Sequence, residues 1–130
     1  MHLRTLSFVA VAAALGLFPV AAQAGFYSGN LLYEVCSTEK TDKAFFEKSY
    51  ECVGYIAGAV DAFNTTREGV GLKSCLPGGV TISKLREVTI DYMAKNPKDR
   101  AKSASSQVFA ATRKAWPCPA GKGQTKSKRK

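Results

Sequence analysis

Histidine is nearly absent from this chain of 130 residues: the only one is His2, next to the initiator. Without imidazole in the body of the chain, Ser-His and Cys-His nucleophilic pairs and histidine metal sites fall away together. The four cysteines, Cys36, Cys52, Cys75 and Cys118, include no pair three positions apart, which excludes a CxxC redox motif or zinc knuckle. There is no internal repeat and no apolar/polar alternation of strand length, so a β architecture is not expected. Glycine-rich phosphate loops are missing. Gly78-Gly79 is an isolated doublet before a helix and a weak anion signal. Past the N-terminal segment no apolar run is long enough to span a bilayer.

What is present begins with an export signal. Arg4 supplies positive charge, an apolar run follows from Leu6 to Val20, and Ala22-Gln23-Ala24 places small residues where a signal peptidase reads them. The run is about 15 residues, short of the ~20 needed for a membrane anchor. Cleavage after Ala24 is expected, giving a signal peptide over 1–24, delivery to the periplasm and a soluble mature chain from Gly25.

The formal charge of +9 overstates how basic the folded part is. Arg4 leaves with the signal, and Lys122, Lys126, Lys128, Arg129 and Lys130 sit in a Gly/Gln/Thr/Ser segment after Pro119. What remains carries 13 basic and 10 acidic residues, a net +3. Residues 25–119 read as one domain and 120–130 as a basic, disordered tail whose role the sequence does not assign. The tail has no aromatic residue to stack on bases, and the compartment argues against nucleic acid.

Four helical segments follow from periodicity and caps. The first runs from Ser28, a cap, to Cys36. The second runs from about Asp42, again as cap, to Thr66, with Phe45, Ser49, Cys52, Ile56, Val60 and Phe63 at steps of three and four. Gly54 and Gly58 lie four apart on another face, and each costs up to ~1 kcal/mol in a helix interior, so close approach of a neighbouring helix is expected there. Residues 67–79 read as a long loop holding Cys75. The third helix starts at Thr81, with Val80 and Leu85 placed as a hydrophobic staple and Leu85, Val88, Thr89, Tyr92 and Met93 as its stripe. Asn96-Pro97 stops it and starts a fourth helix that runs to Trp116, with Ala101, Ala104, Val108, Ala111 and Ala115 as a narrow small-residue face.

An even cysteine count in a small exported chain reads as a disulfide framework. Three pairings are possible. The helix order favours Cys36–Cys52 and Cys75–Cys118: third and fourth helices joined by almost no loop are antiparallel neighbours, which brings the residue before one beside the residue after the other.

Carboxylate pairs are the one remaining inexpensive catalytic device. Glu47 with Glu51, and Glu87 with Asp91, share helix faces, but lysines nearby (Lys43, Lys48, Lys84, Lys95) make solvated faces the better reading. Asp61 is expected near the core, as an internal hydrogen-bond anchor with Arg67 or a loop amide as partner. Asn64-Thr65-Thr66 fits a glycosylation acceptor by chance. No catalytic residue, metal site or cofactor is assigned.

An ordered set of motifs then stands out. It comprises Phe26, Gly29-Asn30-Leu31-Leu32 and Cys36; Cys52-Val53-Gly54-Tyr55-Ile56-Ala57-Gly58-Ala59-Val60-Asp61; Cys75-Leu76-Pro77; Val80-Thr81; Asn96-Pro97; and Ala115-Trp116-Pro117-Cys118. In this the chain resembles, over about Phe26 to Pro119, the Rap1a- and Tai-like periplasmic immunity proteins that neutralise type VI secretion peptidoglycan amidases. The resemblance implies an all-α fold like that of small periplasmic acid-stress chaperones. It also implies a non-enzymatic task, occluding the cleft of a cognate amidase, and a homodimer for some relatives. Gly54, Tyr55, Gly58, Asp61, Pro77, Trp116 and Pro117 read as the scaffold of the pattern. The segments expected to protrude toward a partner are 67–74, with Arg67, Glu68 and Lys73, and the turn at Lys95, Lys98 and Arg100. The alternative is an acid-stress chaperone or envelope stress factor. With no histidine, its switch would rest on carboxylates titrating near pH 4.

Overall fold

A computed structural model describes residues 26–119; the segments expected to be signal peptide, 1–24, and basic tail, 120–130, lie outside them. The fold is all-α: α1 spans Gly29–Cys36, α2 Phe45–Gly69, α3 Ile82–Lys95 and α4 Ala104–Ala115, with a short 3₁₀ helix, Pro97–Ala101, between α3 and α4. Two of the expected caps are in place. Ser28 Oγ accepts from the Leu31 amide at 3.2 Å, and Thr81 Oγ1 accepts from the Lys84 amide at 3.2 Å. Each satisfies an amide that the helix itself leaves without a partner.

Two boundaries differ from the sequence reading. Asp42 does not cap α2; its carboxylate accepts from the Ala44 amide at 2.8 Å, closing a turn, and the helix begins three residues later at Phe45. An Asp side chain reaching two residues on is the Asx-turn alternative to a cap. The chain from Asn96 to Trp116 is likewise not one helix. Asn96 turns its amide nitrogen back to the Tyr92 carbonyl at 2.7 Å, Pro97 opens the 3₁₀ turn, and α4 starts only at Ala104.

The core lies where α1, α2, α3 and α4 meet, around Leu32, Ile56, Met93 and Val108, all fully buried. The expected stripe of α2 narrows to Cys52, Ile56 and Val60, and that of α3 to Leu85, Thr89 and Met93. Buried hydroxyls are satisfied within their own helices: Thr89 Oγ1 donates to the Leu85 carbonyl at 2.8 Å and Thr112 Oγ1 to that of Val108 at 2.6 Å. Arg86 joins α3 to α1, its Nη2 donating at 2.7 Å to the carbonyl of Cys36, where the C-terminal end of a helix favours a cation.

Both disulfides pair as the helix order suggested, Cys36 with Cys52 and Cys75 with Cys118. The first pins the end of α1 onto the middle of α2. The second ties the loop after α2 to the segment after α4.

The close approach expected at Gly54 and Gly58 does not occur. A Cβ added at either would meet nothing within 4 Å, and both residues are exposed. At 100° per residue they lie on the side of α2 opposite its buried stripe. Because a solvent-facing helical glycine costs about 0.5–1 kcal/mol relative to alanine, Gly54→Ala and Gly58→Ala should each stabilise the isolated protein by about that amount in urea unfolding. A loss of stability in either would mean that something within the chain packs there.

Candidate functional site

The residues expected to face a partner fall into two separate patches. Arg67, Glu68 and Lys73 lie at the end of α2 and in the loop after it; Lys95, Lys98 and Arg100 lie at the turn after α3. The loop leads into the start of α3 and the turn leaves its end, so the 14 residues of that helix, about 20 Å at 1.5 Å per residue, lie between them.

The loop at the first patch is clamped. Helix α2 runs on to Gly69 and ends in a Schellman motif: the Leu72 amide donates to the Arg67 carbonyl at 2.9 Å and the Gly71 amide to that of Glu68 at 2.9 Å. Gly71 sits at φ 73°, the left-handed conformation that this closure requires and that glycine adopts without cost. Arg67 Nε donates to the Lys73 carbonyl at 2.9 Å while its guanidinium lies 5.8 Å from the Phe63 ring centre. Ser74 Oγ donates to Asn64 Oδ1 at 3.0 Å and accepts from the Leu76 amide at 3.1 Å. The next residue, Cys75, is stapled to Cys118. Val70, 69% exposed, and Lys73 project from this frame into solvent. The sequence reading placed residues 67–69 in the loop and missed Val70.

At the second patch the charges are largely engaged within the molecule. Lys95 pairs with Asp91 at 2.7 Å, and the Arg100 guanidinium stacks 4.1 Å from the Tyr33 ring centre, half-buried. Beside them Lys102 pairs with Asp99 at 2.7 Å, and this hydrogen bond, reinforced by the carboxylate's charge, holds the lysine above its ordinary pKa. Lys98 is exposed. A groove of about 200 Å³ between α3 and α4, lined by Val88, Tyr92, Lys95, Ala111 and Lys114 among others, is below the size of a small-molecule site.

The scaffold residues of the pattern divide. Tyr55 stacks on Tyr27 with ring centres 5.1 Å apart, and Trp116 packs against the core. Pro77 and Pro117 are exposed beside the Cys75–Cys118 bond. Asp61 is a correction: it is exposed, with no side-chain hydrogen bond or ion pair among the described residues, because its position on α2 points away from the buried stripe. Glu87 pairs with Lys84 at 2.8 Å, a solvated face as expected, whereas Lys48 reaches Glu34 on α1 at 3.9 Å and leaves Glu47 and Glu51 unpaired. Among the described residues no group of three His, Cys, Asp or Glu side chains is placed to hold a metal, no carboxylate is buried, and no helix is long and apolar enough to cross a membrane.

Compared with known proteins, residues 28–118 match the family model of the Rap1a immunity proteins. No curated protein and no solved structure matches the chain.

Proposed function

This chain belongs to the Rap1a immunity protein family, and we propose that it acts in the periplasm as a stoichiometric inhibitor of a peptidoglycan amidase delivered by type VI secretion. The observation that carries the reading is the clamped loop over residues 70–75, set in a protein of an immunity family. An inhibitor needs a projecting segment that enters a cleft without first losing much conformational freedom, since ordering each flexible side chain costs about 0.5–1.5 kcal/mol on binding. The Schellman closure, the Arg67 and Ser74 hydrogen bonds and the Cys75–Cys118 bond have already fixed this loop. Val70 supplies the apolar tip and Lys73 a charge. Glu68 would border this tip, and Lys95, Lys98 and Arg100, about 20 Å away across α3, would be a second, separate contact.

The test is capture with the mature chain from its own cell envelope under non-reducing conditions, followed by digestion of purified peptidoglycan. One hydrolase recovered in near-equal amount and silenced by one equivalent of this protein supports the reading. Many unrelated envelope proteins, captured more strongly at low pH, would replace it with the acid-stress chaperone. Val70→Asp and Lys73→Glu should weaken inhibition about tenfold or more while leaving the melting temperature unchanged, because both side chains lie outside the core.

A further inference from the structure

The outward face of α2 combines exposed aromatic rings, glycines and carboxylates. Helical geometry aligns Phe46, Tyr50, Gly54 and Gly58 at steps of four as a ridge that climbs from the flank of α2 to the side opposite its buried stripe of Cys52, Ile56 and Val60. Phe46 is 74% and Tyr50 77% exposed, and the two glycines face open space. Glu47, Glu51, Asp61 and Glu68 lie on the same face, all exposed, and none has an ion-pair partner among the described residues. The only basic residues of α2 point elsewhere, Lys48 to Glu34 on α1 and Arg67 to the loop.

This contrasts with α3 and the 3₁₀ turn, whose acids, Glu87, Asp91 and Asp99, each hold a lysine. Residues 26–119 are net basic, yet on this face four carboxylates have no ion-pair partner and no cation beside them among the described residues. Two features here disfavour the free protein: glycines in a helix interior and large aromatic rings in water. Among the described residues a Cβ at either glycine would meet nothing within 4 Å, and Phe46 has an edge-on contact with the neighbouring Phe45 ring at 5.6 Å that leaves most of its surface in water.

We propose that this face of α2 is a docking surface for a basic helix of a protein partner. The glycine pair forms a shelf on which the partner's backbone approaches closely. Phe46 and Tyr50 cover the end of the shelf, and lysine or arginine side chains of the partner meet the carboxylates or lie over the aromatic rings. The chemistry of the partner follows from the charge of the face; its identity as the effector rests on the inhibitor reading above. The surface runs along α2 up to Glu68, which also borders the clamped loop, so one partner would be held by a helix face and blocked by the loop beside it.

The test uses the full mature chain, isotope-labelled, and two synthetic amphipathic helices of about 18 residues, or five turns, one of leucine and lysine and one of leucine and glutamate. The lysine helix should shift the amide signals of Tyr50, Gly54 and Gly58, and the glutamate helix should not. The double charge reversal Glu51→Lys with Asp61→Lys should weaken binding about tenfold or more, these being exposed charges whose replacement leaves the fold intact. Gly54→Ala with Gly58→Ala should raise the melting temperature and still weaken binding. Signals moving on α3 and α4 instead, binding indifferent to charge reversal, or glycine variants that bind as well as the parent would overturn the proposal. So would amide shifts at Gly54 and Gly58 on mere concentration of the chain, which would assign the face to a second copy. Inhibition of a captured hydrolase that survives both variant pairs would remove this surface and leave the inhibitor reading intact.

Discussion

Replacing Cys75 and Cys118 together by alanine should lower the unfolding free energy by about 4 kcal/mol, the larger of the two disulfide effects. The bond closes a loop of 43 residues that contains α3, the 3₁₀ turn and α4, and its removal returns to the unfolded chain the freedom that the closed loop denies it. The same reasoning gives about 3 kcal/mol for Cys36 with Cys52, whose loop is 16 residues. Against the 5–15 kcal/mol typical of a domain, either loss is large. Urea unfolding of the two double variants should show midpoints falling in that order. A pairing carried mainly by native contacts would reverse the order, because Cys36 and Cys52 are fully buried whereas Cys118 is partly exposed. The Cys75 variant should also lose inhibition beyond its loss of stability, since Cys75 anchors the clamped loop.

Both pairings were legible because they depend on helix order alone. Once α3 and α4 are antiparallel, the residue before one and the residue after the other are neighbours, whatever fills the core. The caps at Ser28 and Thr81 were legible for a similar reason, since cap and amide are three residues apart and no distant group competes. The 3₁₀ turn was not. Asn96-Pro97 reads equally well as the start of a long helix, and what ends the turn is a backbone bridge of Ser28 with Ser103, a contact between remote segments.

The glycines of α2 show a subtler failure. A pair four apart gives the same sequence signal whether it meets a neighbouring helix or faces water; only its angle to the buried stripe decides. Cys52, Ile56 and Val60 put Gly54, Gly58 and Asp61 on the far side of the helix. Asp61 was drawn toward the core by its apolar neighbours in sequence when helical geometry points it outward. The exposed aromatics Phe46 and Tyr50 lie off the stripe that the periodicity of α2 picks out, so a reading that follows the stripe assigns them nothing. A candidate surface made of groups that do not pack is the part of a site least visible to a reading built on packing.

Gly29→Ala should destabilise by more than Gly54→Ala stabilises, although the two exchanges are chemically the same. Gly29 opens α1 where the backbone of residues 27–29 runs against that of 102–104: the Gly29 amide donates to the Lys102 carbonyl at 2.8 Å and the Ala104 amide to that of Tyr27 at 2.8 Å. A Cβ there would lie 2.7 Å from Gln107 Cγ, 2.8 Å from the Arg100 carbonyl oxygen and 3.0 Å from Arg100 Cα. The two Arg100 atoms are backbone and cannot rotate aside. Gln107 is 2% exposed, and its Nε2 donates to the Asp99 carbonyl at 2.9 Å, so moving it breaks a buried hydrogen bond. Alanine's better helix propensity contributes at most ~1 kcal/mol in the other direction, less than overpacking costs at a closed site. The expected net loss is about 2–3 kcal/mol, or a melting temperature roughly 10–20 °C lower for a domain near 100 residues. An unchanged melting temperature would mean that α1 can slide away from α4 without strain. The bridge between Ser28 and Ser103 would then not fix the start of α1, and the placement of Cys36 against Cys52 would be left to the disulfide and to Leu32 and Val35 in the core.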